Sequence, residues 1–259
     1  MVENVTDLTD RIAVVVGGTS GIGRTLAAGL ARSGANVVPT GRRTELVEEV
    51  CAEIKSAGRE TLAQTVNVGD RASIDELRER VLKKFGAVHI LVNAAGITAR
   101  SATAKVAEDE WQKIIDTNLT GMLRACQSFY PTLKEAQGRG RIINVASLAS
   151  FVAFHQVAAY GVSKAGVMAL TQSLGSEWAR DGINTNAIVP GVFRTDLNAA
   201  LLDGTERGRE LLTRTPMRRF GRTEELIGAA VFLASDAASF ITGQAIVVDG
   251  GFLASGVNS

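Results

Sequence analysis

Along this chain short apolar runs alternate with longer stretches in which apolar residues recur every three to four positions. The runs predict strands over 12–16, 36–39, 61–66, 90–93, 141–145, 184–188 and 245–248. Their apolarity is nearly unbroken rather than alternating, as strands require when helices cover both faces of a sheet. The periodic stretches predict helices over 22–33, 44–57, 73–85, 108–134, 158–181 and 224–235. A strand followed by a helix, repeated from end to end, is the signature of βαβ units in a parallel sheet. The fold expected is α/β: a single-domain, Rossmann-type doubly wound parallel sheet of about seven strands spanning residues 1–259.

One stretch breaks the rhythm. Residues 193–222 are rich in Arg, Thr and Gly and carry little strand or helix signal. A loop of that length in a compact domain is usually a lid or binding segment, so it is the candidate substrate flap. An irregular surface excursion would look the same.

The first strand runs directly into Gly17-Gly18-Thr19-Ser20-Gly21-Ile22-Gly23 and then a helix. Glycines let such a turn close tightly and let backbone approach a pyrophosphate, while the helix start offers unpaired N–H groups and the positive end of its dipole. The spacing is GxxxGxG rather than GxGxxG, and glycine also serves tight turns for purely steric reasons; the position in the first βα turn favours dinucleotide binding. An NAD site normally presents a carboxylate about twenty residues later, on the ribose 2′-hydroxyl. Here the second strand ends in Gly41-Arg42-Arg43 with no carboxylate. Guanidinium groups suit a 2′-phosphate, which points to NADP(H), unless the two arginines merely solvate a helix entrance.

The fifth predicted strand delivers Ala146 and Ser147 to its carboxyl end, where open α/β sheets place their ligands, and Tyr160 follows, with Lys164 one helical turn beyond. A phenol with a pKa of about 10 exchanges protons poorly at neutral pH, and a nearby ammonium favours its ionised form. Tyr160 is therefore the candidate acid/base for a carbonyl oxygen, with Ser147 as a second donor. A second copy of the pattern, Tyr130 and Lys134, contains Pro131 and has no serine-bearing strand end before it. It is read as a surface pair.

Taken in order, Gly17-x-x-x-Gly21-Ile22-Gly23, Asn93-Ala94-Ala95-Gly96, Asn118, Ser147, Tyr160-x-x-x-Lys164 and Pro190-Gly191-Val192-Phe193-Arg194-Thr195 resemble the motif series of classical short-chain dehydrogenase/reductases over essentially the whole chain. The resemblance implies an oxidoreductase that moves a hydride between NADP(H) and a carbonyl or secondary alcohol. Its tetrad would be Asn118 supporting a proton-relay water, Ser147 orienting the carbonyl, Tyr160 as acid/base, and Lys164 tuning Tyr160 and holding the nicotinamide ribose. It similarly implies Gly17, Thr19, Ser20, Gly21, Ile22, Gly23, Arg42 and Arg43 at the phosphates, Asn67 and Val68 beside the adenine, Asn93, Ala94 and Gly96 behind the ribose, and Pro190, Gly191, Val192 and Thr195 along the nicotinamide. Val16 and Asn67 depart from the family pattern, where Thr and Asp are commoner, which bears on adenosine binding and not on the chemical step. A homotetramer is the family's usual assembly.

The tail 249–257 and the stretch Gly96-Ile97-Thr98-Ala99-Arg100 look similar to the gluconate 5-dehydrogenase branch. Arg100 would pair with a substrate carboxylate, with His155 and Phe193 as further substrate candidates and Phe151, Phe154 and Leu197 as apolar lining; a solvated Arg100 and a rim His155 are the plain alternatives. Arg207, Arg209, Arg214, Arg218 and Arg219 in the flap motivate a second reading, a reductase of 3-oxoacyl groups on an acidic carrier protein. General ketone reduction is a third. A dinucleotide-binding sensor without turnover has no use for the four catalytic candidates together.

Bulk properties narrow the partners. Twenty-eight basic against 27 acidic residues leave a net charge of +1, which offers no field for nucleic acid or an anionic membrane. No apolar run reaches the length of about 18 residues that a membrane helix needs. Cys51 and Cys126 form no CxxC unit and have only His89 and His155 as co-ligands, so neither a metal nor a disulfide framework is expected. These features fit a reducing, cytoplasmic setting and a small-molecule substrate.

Overall fold

Strand β1 (Ile12–Val16) is buried along its whole length because its two faces feed two different cores. Ile12, Val14 and Val16 pack toward Leu77, Phe129 and Val167, whereas Ala13 and Val15 face Leu26, Leu30, Ile54 and Leu233. The computed structural model describes residues 4–195 and 198–257. Beyond β1 the elements are α1 (Gly21–Arg32), β2 (Asn36–Thr40), α2 (Thr44–Ser56), α3 (Arg71–Phe85), β3 (Ile90–Asn93), α4 (Glu108–Ile115), α5 (Gly121–Lys134), β4 (Gly140–Val145), α6 (Ala158–Glu177), β5 (Ile183–Pro190), α7 (Ala199–Leu202), α8 (Glu206–Arg214), α9 (Ile227–Ala234) and β6 (Ala245–Val248). All strand pairs are parallel, in the order β2-β1-β3-β4-β5-β6. Helices α3, α5 and α6 cover one face and α1, α2 and α9 the other. The order reverses between β1 and β3, and the crevice beyond their carboxyl ends is where doubly wound sheets bind ligands.

The expected strand over 61–66 does not form, and the described sheet has six strands rather than seven. Pro39 supplies the reason. Asn36 donates inward to Arg11 O, so Val37 faces outward and donates to Glu60 O; by the period of two, Pro39 also faces outward, where it has no N–H to give. The ladder is interrupted after one bond and resumes only where Val66 donates to Gly41 O. The segment lies along β2 without pairing regularly.

The helix expected over 108–134 is one rod with a single π turn, Asp116–Thr120, between α4 and α5. The candidate flap is also more ordered, over its described residues, than its composition suggests. It holds α7 and α8, the latter opened by Thr205, whose side chain accepts a hydrogen bond from Gly208 N at 2.9 Å. Leu202 and Leu211 join Leu148 and Phe252 in a small third cluster that ties α7, α8 and the carboxyl-terminal segment to the loop after β4.

Candidate active site

The glycine turn is built around contacts that no side chain could share. A Cβ on Gly17 would lie 2.4 Å from Ala95 N, one on Gly23 would lie 2.0 Å from Gly17 O, and Gly17 has a φ of +82°. Backbone at β1 therefore presses directly onto the Asn93–Gly96 loop after β3. Gly17 and Gly18 both donate to Thr40 O, which draws the end of β2 alongside. Thr19 fills the space over Gly41, where a Cβ would be 2.6 Å from its Oγ1. Ser20 stands at the N-cap of α1 but its side chain caps nothing, so the first N–H groups of the helix are left for a ligand. Thr195, in the loop beyond β5, closes over the turn from the other side, its Cγ2 3.8 Å from the Cβ position of Gly21.

Arg42 and Arg43 are exposed at the entrance to α2 and pair with no described residue. Arg24 nearby is different: Glu49 and Glu53 of α2 both hold it. Asn67 uses its Oδ1 to accept from Gly69 N at 3.1 Å, and the neighbouring Val68 is buried against Gly121.

The chemical groups collect at the end of β4. Ser147 is extended, with its Oγ accepting from Ala149 N at 3.1 Å. Tyr160 and Lys164 occupy the first turns of α6, with Lys164 Nζ 5.8 Å from the Tyr160 ring centre. The ammonium donates to Val145 O at 2.7 Å and is almost fully buried, which pulls its pKa down to about 8. Burial pushes the Tyr160 phenol above its ordinary range, and a hydrogen bond with Ser147 draws it partly back. The expectation that the ammonium alone would lower the phenol is thus not what dominates; desolvation is the larger effect.

Asn118 sits in the π turn with no exposed surface. Its amide grips the backbone of Ile97 in both directions, Nδ2 to O at 2.9 Å and N to Oδ1 at 2.8 Å, and also donates to Ser163 Oγ at 3.0 Å. A Cβ at Gly96 would meet Asn118 Oδ1 at 3.4 Å and Lys164 Nζ at 3.7 Å, so the two residues converge on the loop behind the glycine turn. The second Tyr/Lys pair is a surface cluster: Tyr130 and Lys134 both bind Asp181, at 2.6 and 2.8 Å.

Among the candidate substrate residues, Ser101 N donates to Gln156 O at 2.9 Å, which sets the loops carrying Arg100 and His155 next to each other. Both residues are exposed and pair with no described residue. Gln156 holds a φ of +65°, uncommon for a residue with a side chain, at the turn into α6. Phe193 is a correction. Its ring is buried in the core cluster that also holds Leu226, and its backbone bridges to Gly221, whose Cβ position lies 2.4 Å from the ring, so the structure places it in the core rather than on an exposed wall. Leu197 lies outside the described residues.

Several residues that shape the site were not singled out from the sequence. Phe252 packs on Leu148, next to Ser147, and carries the Arg214 guanidinium over its ring at 5.2 Å. Asp249 fixes the turn before it, accepting from Gly251 N and Leu253 N at 2.8 and 2.7 Å. Asn144 and Thr171 are wholly buried polar residues behind the candidate catalytic groups. Only Asn144 had a visible signal, as the polar interruption of an apolar strand. No group of three or more metal-ligating side chains occurs among the described residues, and no described helix is long and apolar enough to cross a membrane.

A family model described as enoyl-(acyl carrier protein) reductase matches residues 16–253. The 2-dehydro-3-deoxy-D-gluconate 5-dehydrogenase of Dickeya dadantii is 36% identical over 255 residues, covering 98% of this chain and 100% of the relative. The 3-oxoacyl-acyl-carrier-protein reductase of Staphylococcus aureus is 40% identical over 240 residues, covering 92% of this chain and 96% of the relative. Among solved structures, a gluconate 5-dehydrogenase from Burkholderia cenocepacia, in complex with NADP and tartrate, superimposes with a TM-score of 0.93 at 36% identity, covering 98% of this chain and 99% of the other. The chain belongs to the short-chain dehydrogenase/reductase family. It is an oxidoreductase of CH–OH groups.

Proposed function

We propose that this protein interconverts a secondary alcohol and a ketone on a sugar acid or polyol, with NADP(H) as redox partner. The observation that carries the reaction is the meeting of Ser147, Tyr160 and Lys164 at the end of β4, with Lys164 against Gly96. The observation that supports the phosphorylated cofactor is the pair of unengaged guanidinium groups, Arg42 and Arg43, at the end of β2.

The residues present fit a dinucleotide. Gly17, Gly21 and Gly23 form a cradle that a Cβ would fill, the uncapped start of α1 offers N–H donors to the pyrophosphate, and Thr195 faces them. Ile22, Asn93, Ala94, Pro190, Gly191 and Val192 would line the rest of that groove, with Asn67 and Val68 at the adenine end. When bound, the cofactor supplies or accepts the hydride. Tyr160 gives its phenolic proton to the carbonyl oxygen in reduction and takes it back in oxidation, a contribution of about a hundredfold to ten-thousandfold. Ser147 donates to the same oxygen and holds it in place. Lys164 keeps positive charge behind the phenol and would hold the nicotinamide ribose, and Asn118 fixes the Ile97 backbone over the site.

Arg100, set beside His155 by the Ser101–Gln156 bond, is the group for a substrate carboxylate. The sugar-acid reading is supported by the relatives from Dickeya dadantii and Burkholderia cenocepacia. The Staphylococcus aureus relative favours a carrier-bound 3-oxoacyl substrate instead. Against it, two of the flap arginines are already engaged, Arg219 by Glu225 and Arg214 by Phe252. The segment 193–222 acts as the substrate flap, and four copies of the chain form the functional unit, as the exposed edge of β6 allows.

The experiment is a turnover panel followed at the nicotinamide absorbance: keto-sugar acids, polyols, acetoacetyl thioesters and simple ketones, each with NADP(H) and NAD(H). Turnover of sugar acids with the phosphorylated cofactor supports the reading. Preference for thioesters replaces the substrate, and preference for NADH removes the role given to Arg42 and Arg43.

A further inference from the structure

Behind the catalytic groups runs a buried line of hydrogen bonds that crosses two strands and two helices. Cys126 Sγ of α5 accepts from Asn93 Nδ2 of β3 at 3.3 Å, and Asn93 Nδ2 also donates to Asn144 Oδ1 of β4 at 2.9 Å. Asn144 Nδ2 donates to Thr171 Oγ1 of α6 at 3.0 Å, and Thr171 Oγ1 donates to Val167 O at 2.7 Å. None of the four side chains is more than 3% exposed.

The direction of this line is fixed from one end. Inside a helix the Thr171 hydroxyl gives its single proton to the carbonyl four residues back, so toward the sheet it can only accept. That forces Asn144 to present its NH2 to Thr171 and its oxygen to Asn93. Asn93 must then present its NH2, which leaves its own Oδ1 turned away, and this oxygen is buried without a partner. An unsatisfied buried acceptor is unfavourable and rare, and here it follows from the polarity imposed by Thr171.

The line joins the pieces of the active site. Asn93 opens the loop behind the glycine turn, Asn144 lies three residues before Ser147, and Thr171 lies seven residues, two turns on one face, beyond Lys164. Lys164 donates to the carbonyl of Val145, the residue next to Asn144. The Asn144–Thr171 bond and the Lys164–Val145 bond thus tie α6 to adjacent residues of β4.

We propose that Thr171, acting through Asn144, is a positioning residue that sets the height of α6 on β4 and so places Lys164 and Tyr160 against Ser147. This rests on the reaction proposed above.

The test compares Thr171→Val, which keeps shape and removes the acceptor, with Thr171→Ser, which restores it. Thr171→Val is expected to lower kcat about tenfold to a hundredfold, the scale of a small misplacement of reacting groups, with KM for NADPH changed less than about twofold. Thr171→Ser is expected to recover most of the rate. A second readout needs no turnover: the pKa of Lys164, followed by NMR of the methyl-labelled ammonium in folded wild type and variant, is expected to move in Thr171→Val and to return in Thr171→Ser. If Thr171→Val lowers only Tm, with kcat and the Lys164 titration unchanged, the residue is merely structural and the proposal is wrong. If wild type turns over no carbonyl or alcohol, the reaction proposed above fails, and the Lys164 titration still decides whether Thr171 positions α6.

Discussion

The ammonium of Lys164 is held by the backbone carbonyl of Val145 at 2.7 Å, two residues before Ser147, so β4 positions both the lysine and the serine. The Tyr160 and Ser147 hydroxyls are hydrogen-bonded to each other beside it, the pair proposed above to meet a carbonyl oxygen. On the proposed mechanism Tyr160 moves a proton while Lys164 holds the frame, and the two are expected to respond differently to substitution.

Replacing Tyr160 by Phe removes one oxygen and leaves the ring packing intact. Loss of general acid catalysis is expected to lower kcat by about a hundredfold to ten-thousandfold. Affinity for NADPH, measured by quenching of protein fluorescence, is expected to stay within about twofold. Activity equal to wild type would remove Tyr160 from the mechanism.

Arg42→Ala and Arg43→Ala each take away a guanidinium that binds nothing else among the described residues. A hydrogen bond to a charged group contributes about 1.5–3 kcal/mol, which is about tenfold to a hundredfold in KM for NADPH. KM for NADH is expected to be unchanged. A variant that weakens both cofactors equally would show that the arginines support the fold of the β2–α2 turn rather than the 2′-phosphate.

The glycines divide sharply by what surrounds them. Gly23→Ala puts a Cβ 2.0 Å from Gly17 O and is expected to abolish dinucleotide binding. Gly228 lies inside α9 with nothing within 4 Å of its Cβ position, so Gly228→Ala is expected to raise stability by about 0.5–1 kcal/mol through helix propensity. Thermal unfolding and cofactor titration of both variants check the contrast.

His89 gives a pH dependence with a definite sign. It is 7% exposed, accepts a hydrogen bond from Ile12 N at 3.1 Å, and is held down to about 4 from 6.5, by burial first and then by Arg139 and Arg11. Between those values the unfolded chain binds more protons than the folded one, so stability falls as pH drops through 6.5 and levels off below about 4. The full effect is about 3 kcal/mol. His89→Asn keeps an acceptor for Ile12 and is expected to flatten the denaturation midpoint between pH 6.5 and 4. A midpoint that falls as steeply in the variant would assign the loss to other groups.

The sheet and its catalytic end were legible because their signals are local. Short runs rich in Ile and Val marked β1 and β4, and four-residue spacing put Tyr160 and Lys164 on one face. What the chain concealed depends on partners distant in sequence. The segment 61–66 has strand composition, but Pro39 on the neighbouring strand withholds the bond it needs. The π turn at Asp116–Thr120 keeps helical periodicity on both sides and leaves no break to see. The Arg-rich α8 shows helix character only once Leu211 has the cluster around Phe252 to face. Phe193 looked like pocket lining because nothing in its own neighbourhood revealed Gly221 against its ring.

The missing N–H of Pro39 also makes the two borders of the sheet unequal. A parallel sheet with two open borders can grow head to tail, border upon border, into a filament. Here the β2 border is interrupted at Pro39 and flanked by residues 60–66, while β6 has no strand beyond it among the described residues. The β2 border therefore offers no regular ladder to an added strand, and the row of backbone groups along β6 is the more regular of the two described borders.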